Sequence, residues 1–228
     1  MPALDAVLAE VDALGIETIV VGGDVAAGPM PVEALDLLRD RGARFVRGNA
    51  DRLRDLPPRE DLSWAARLLG AERLAFLAEL PVDLTLDVDG LGPVRFCHGA
   101  PGSDEITITR VTPDERLRGL LAGVDERVVV CGHTHVQFDR TVDGIRVVNT
   151  GSVGAPYEAE PGAYWALLGD GVDLRRTPYD VEAAAAAILA SGYPRAAEYV
   201  TYLQPDPERP ARLSALIEGL PPYEGGGT

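Results

Sequence analysis

Four apolar runs in this chain end on residues able to hold a metal ion. Residues 16–21 lead into Gly22-Gly23-Asp24, and residues 45–46 into Gly48-Asn49-Ala50-Asp51. Residues 94–97 lead into His98-Gly99, and residues 128–131 into Gly132-His133-Thr134-His135. The chain has three histidines, and all three lie in this set. Open α/β sheets place ligands beyond the carboxyl ends of their strands. Oxygen and imidazole donors at several strand ends are what a metal-dependent hydrolase of phosphate esters would require.

The 228 residues fit one large domain, or one domain with an appendage. The formal charge of −15 argues against a nucleic-acid backbone as a stable partner, because such partners need a basic footprint. A small phosphate ester stays open, since a bound cation inverts the local field. No apolar run approaches the roughly 20 residues that span a bilayer, so no membrane role is expected. The opening MPALDAVLAE carries acids and no basic segment and does not read as a signal peptide. Cys97 and Cys131 each end an apolar run and read as buried free thiols, with a disulfide or a metal thiolate as the alternatives. A reducing cytoplasm is the expected compartment.

Hydrophobic spacing predicts a helix over 3–14, a strand at 18–21, a helix opened by Pro31 and ended by Gly42, and a strand at 43–47. That alternation implies parallel pairing with helical crossovers. Two short helices follow, about 61–69 and 71–79, set off by Pro57-Pro58 and Gly70. Strands are expected at 82–88 and 93–97, a helix near 113–121, and strands at 127–131, 136–142 and 145–149. A hairpin spans 162–168 and 172–177. The tail from Asp180 reads as three helices, near 181–190, 194–203 and 210–219, and Gly225-Gly226-Gly227 reads as disordered. The domain division is therefore 1–179 and a helical tail 180–228. Trp64, Trp165, Phe76 and Phe138 read as packing residues.

Taken singly, Asp24 and Asn49 read more simply as turn residues, and His98 as a hydrogen-bonded surface imidazole. His133 and His135, two apart, would point to opposite faces of an extended segment, but on a loop past a strand end they can converge. Together, in chain order at successive strand ends, the five residues point to metal binding.

These motifs resemble the calcineurin-like metallophosphoesterase superfamily, and within it the small bacterial and archaeal phosphodiesterase-like group. The resemblance runs from about residue 3 to 180. It rests on the Gly-Asp to Gly-Pro run of residues 23–29, on Gly48 to Asp51 against a Gly-Asn-His-Asp motif, on His98-Gly99 and on Gly132-His133-Thr134-His135. Asn149-Thr150-Gly151-Ser152-Val153-Gly154 adds to it. The resemblance implies an α/β fold, a four-layer α-β-β-α sandwich of two mixed sheets, with a binuclear site. It implies that Asp24 bridges two divalent ions (Mn, Fe or Zn), that Asn49, His98 and His133 complete one ion's ligands, and that His135 binds the other. Asp24, Asn49 and His98 carry the implied catalytic roles, in a phosphodiesterase reaction by in-line attack of a metal-bound hydroxide. The substrate would be a small phosphate ester or diester, and a homo-oligomer is possible.

The chain departs from the family in two places. Ala50 stands where many relatives carry His, a residue usually assigned to protonating the leaving group or binding substrate. The family's Asp-x-His motif, at the end of a strand ahead of the first helix, has no counterpart: only Met1 precedes that helix, and Asp5 lies within it. The expectation is that Met1 is an internal methionine and that the natural protein carries a strand and that motif upstream. The alternative is a degenerate protein that holds one ion and a phosphate or nucleotide with little turnover. A scaffold without metal is the third reading.

Overall fold

The computed structural model describes residues 1–53 and 59–219. Pro57-Pro58 and Gly225-Gly226-Gly227, read above as a break and a disordered end, lie outside the described residues.

Helix α1 (Pro2–Ala13) starts with proline in its first turn, where the missing N–H is not needed, and buries Val7, Leu8 and Val11 along one stripe. Strand β1 (Val20–Val21), helix α2 (Pro31–Asp40) and strand β2 (Arg44–Phe45) form a crossover, with β1 and β2 parallel. A 3-10 turn (Asn49–Asp51) follows β2. Helix α3 (Glu60–Ala78) breaks at Gly70, whose φ of +70° ends one helical run and lets the next begin, as expected for two short helices. Strands β3 (Asp83–Val88) and β4 (Gly92–Cys97) make a hairpin, and helix α4 (Asp114–Leu120) leads to β5 (Val128–Cys131), β6 (Phe138–Val142) and β7 (Ile145–Asn149). Their order is β3-β4-β5-β7-β6, with β4, β5 and β7 parallel and both outer strands antiparallel. A final hairpin joins β8 (Ala163–Leu168) to β9 (Val172–Thr177). The tail supplies α5 (Val181–Ala190), α6 (Ala196–Thr201) and α7 (Arg209–Ile217).

The class is α/β with a mixed sheet, as expected. The second layer is two separate two-stranded ribbons, β1-β2 and β8-β9, as expected for a sheet that lacks the family's first strand. The strands expected at 18–21 and 43–47 shrink to two residues each, because β1 is paired on one side only. An apolar channel lies between β1 and β8. Phe96 and Val130 of the large sheet, Leu4 and Leu8 of α1, Asp24 and the three histidines line the same cavity of about 1010 Å³.

The large sheet buries both faces. Leu117 of α4 packs with Val129 and Val147 on one side, and Val94, Phe96, Val128 and Val130 face Val46 on the other. Leu35, Leu69 and Leu77 tie α2 and α3 together, and Trp165 packs against Val7 and Val11. Cys97 and Cys131 are both free and buried, and burial pushes both thiols up, that of Cys131 to about 12. Among the described residues, no helix is long and apolar enough to cross a membrane.

Candidate metal centre

Asp24 leaves β1 and Asn49 leaves β2, and the two loops are locked to each other. One carboxylate oxygen of the buried Asp51 accepts the N–H groups of both Asp24 and Gly48, each at 2.8 Å. The N–H of Ala50 donates to Asp24 Oδ1 at 2.7 Å. Glycine is required where the loops meet: a Cβ on Gly23 (φ +94°) would lie 2.6 Å from His98 Nδ1, and one on Gly48 would lie 2.1 Å from Asp24 Oδ1.

Each histidine has one ring nitrogen on a backbone carbonyl. His98 Nδ1 lies 2.7 Å from Gly22 O, His133 Nε2 lies 3.2 Å from Glu105 O, and His135 Nδ1 lies 2.7 Å from Ala155 O. A carbonyl only accepts, so those nitrogens carry the protons. In the neutral rings the lone pairs are left on His98 Nε2, His133 Nδ1 and His135 Nε2. The loop carrying Glu105 is itself held: Asp104 takes Arg47 Nε at 2.9 Å and Arg52 Nε at 3.2 Å.

His133 and His135 share an unusual backbone conformation. Their φ values are +64° and +59°, and that of Asp24 is +56°; Asp143, in a hairpin turn, is the fourth non-glycine residue with positive φ among the described residues. Left-handed backbone at three site residues costs about 1–3 kcal/mol each and clusters where function demands it. It takes both histidines out of strand alternation, and both line the same cavity.

Around His98 Nε2 three further electron-pair donors gather: His133 Nδ1 at 3.0 Å, Asn49 Oδ1 at 3.1 Å and Asp24 Oδ2 at 3.4 Å. With neutral rings no hydrogen lies between these four atoms, so they face one another lone pair to lone pair. A divalent ion resolves this, since ligand bonds of about 2.1 Å put neighbouring ligands at about these separations. The residues therefore fit a metal, and Asp24, His98 and His133 offer ligand atoms all within 4.8 Å of one another. Without an ion, a proton takes part of its place. Burial opposes charge on both Asp24 and His98, but their contact outweighs it, holding the Asp24 carboxyl below its ordinary range and His98 above. Burial, then repulsion from His98, lowers His133, and burial lowers His135. Burial and the Asp24 charge push Asp51 up to about 7 despite its two amide donors.

The structure thus brings together Asp24, Asn49, His98 and His133. His135 lines the same cavity but stands outside that group, its ring stacked on Tyr157 at 4.7 Å. Three supporting residues were not singled out from the sequence. Asp51 clamps two loops. Asn149 donates to Gly132 O and to Thr134 Oγ1 at 3.0 Å, and so braces the histidine loop. Tyr157 packs on His135. Asp51 and Asn149 did lie inside quoted motifs, which was the available signal; Tyr157 carried none.

A strand-end cluster of this kind is a candidate metal site on an α/β scaffold. The description "calcineurin-like phosphoesterase superfamily domain" matches residues 1–169, and the chain belongs to that family. Two solved structures are similar to it. One is a metallophosphoesterase from Sphaerobacter thermophilus, 26% identical, with a TM-score of 0.73 over 88% of this chain and 92% of that one. The other is hypothetical protein PH1004 from Pyrococcus horikoshii OT3, 22% identical, with a TM-score of 0.77 over 90% of this chain and 93% of that one. No curated protein matches. Family and neighbours together make the chain a phosphoester hydrolase in general, of a family that uses divalent metals.

Proposed function

We propose that this protein is a metal-dependent phosphodiesterase. Asp24, Asn49, His98 and His133 would hold one divalent ion, and Asp24 with His135 a second. Bound there, divalent ions supply charge against the phosphoryl oxygens and acidify a water for in-line attack. The gathering of three further lone-pair donors around His98 Nε2 carries this reading. The chain's own residues narrow the substrate. Each imidazole keeps its proton on a carbonyl and its free nitrogen towards the cavity, so none is placed to protonate a leaving group, and Ala50 adds only a methyl to the wall. Arg59 and Arg195, which line the same cavity, both face Asp61. A singly charged diester with a stable leaving anion suits this better than a dianionic monoester. A reducing cytoplasm suits the two buried thiols.

The metal-loaded full chain, assayed with bis(p-nitrophenyl) phosphate and with p-nitrophenyl phosphate in Mn²⁺, tests this. Faster cleavage of the diester, abolished by a chelator, is expected. Bound metal with no turnover of either ester favours a single-ion binding protein instead, a reading supported by the place of His135 outside the Asp24–His98–His133 group.

A further inference from the structure

The C-terminal helices lie outside the matched family region, yet they reach the metal centre. A line of rings connects them. His135 stacks on Tyr157 with centroids 4.7 Å apart and planes at 32°. Tyr157 meets Tyr202, just beyond α6, at 5.0 Å. Tyr202 meets Tyr199 edge-on at 6.3 Å, Tyr199 meets Tyr193 at 5.8 Å, and Tyr193 meets Trp64 of α3 at 5.5 Å. Such contacts are directional.

The place of Tyr202 in this line is fixed. The buried Arg209 donates to the carbonyls of Thr201, Tyr202 and Gln204 at 3.0–3.2 Å, which pins the backbone that carries Tyr202. The N–H of Asp206 donates to Ala159 O at 2.9 Å, tying the tail to the loop after Tyr157. Leu203, 2% exposed, is sunk among Ala184 and Ile188 of α5. The near end is also set. The N–H of Tyr157 donates to His135 O at 3.0 Å, while His135 Nδ1 donates to Ala155 O. The imidazole is therefore held by one hydrogen bond at its edge and by one ring on its face. The hydrogen bond fixes which nitrogen is free; the stacked ring limits rotation of the plane about that bond.

We propose that Tyr202 presses Tyr157 onto His135, so that the tail sets the direction of His135 Nε2 and makes Tyr157 and Tyr202 positioning residues for a divalent ion there. This rests on the reading of His135 as an ion ligand. It assigns the tail a part in the site rather than a separate role. Because the ring faces do the work, the phenol oxygens should be dispensable.

The three histidines make the test clean, since the full chain labelled with ¹⁵N-histidine shows only three imidazoles. Zn²⁺ alone is titrated into the metal-stripped protein, and the apparent Kd is read separately at His135 and at the His98–His133 pair. In Tyr157→Ala and Tyr202→Leu, the Kd at His135 should rise about 10-fold, the scale of losing a residue that orients a ligand. The Kd at His98 and His133 should change less than about 2-fold, which also reports that the variants are folded. Tyr157→Phe and Tyr202→Phe should restore wild-type values. An unchanged Kd at His135 in folded Tyr157→Ala or Tyr202→Leu overturns the proposal, as does failure of the Phe variants to restore it. Zinc shifting none of the imidazoles in the wild-type chain would instead overturn the metal-site reading beneath it.

Discussion

The five-stranded sheet and the two ribbons bring ligands to one site from unequal supports. Strands β4, β5 and β7 each have a neighbour on both sides, and His98 and His133 extend directly from β4 and β5. Val94, Val129 and Val147 there are fully buried. Asp24 and Asn49 follow strands of two residues each, and the first of these strands lines the channel. What holds them is a set of loop-to-loop hydrogen bonds through Asp51 and the close approach of Gly23 to Gly48. Where the sheet is deep, packing places the ligand; where it is shallow, one buried carboxylate does.

Core truncation is the most forceful way to break this contrast. Leu117→Ala, beneath the large sheet, should cost about 2–5 kcal/mol, while Val20→Ala at the channel's edge should cost less than about 1 kcal/mol. Urea unfolding measures both, and equal costs would erase the distinction. Next comes the clamp. Asp51→Ala strands two amides and should cost about 2 kcal/mol, and it should weaken metal binding about 10- to 100-fold by releasing Asp24. Asp51→Asn keeps an acceptor and should lose less on both counts.

The smallest expected effect is one of pH, and it sharpens the comparison by isolating the junction of the two halves. In the ion-free protein His98 is held above its ordinary value of 6.5, so its contribution is full below that value and is lost as pH rises through the raised one. Asp51, pushed up to about 7, acts in the same direction. Asp24 is held below 3.8, so its contribution is present above that value and is lost only as pH falls through the lowered one. Ion-free stability should therefore decline through Asp51 as pH rises towards about 7, and through His98 as it rises above 6.5. Metal affinity should rise over the same range, because the ligands must shed their protons. The increase in Tm on adding Mn²⁺ should widen from pH 6 to pH 8; a constant or shrinking increase would contradict the shared-proton account.

Much of this was legible in the sequence, for identifiable reasons. Strand ends capped by Gly and a polar donor mark Asp24, His98 and His133, because a β-to-loop transition leaves a local signature. The break at Gly70 was visible for the same reason. The left-handed backbone of His133 and His135 was not, since no local pattern requires positive φ at a histidine. The shortness of β1 and β2 was also hidden: residues 18–21 are apolar enough for a longer strand, but strand length depends on partners distant in sequence. Asp51 was passed over because its task is to hold two backbones, and its type alone does not announce that. Tyr157 and Tyr202 reach His135 only through the fold of the tail.

Equilibrium dialysis of the metal-stripped chain against Mn²⁺, with wild type and His98→Ala side by side, bears most directly on the central claim. The account predicts at least one ion per wild-type chain and a loss of affinity of more than about 100-fold in the variant, since removing a ligand should exceed the loss from removing its support. Wild-type protein that binds no ion, or a His98→Ala variant that binds as tightly, would contradict it.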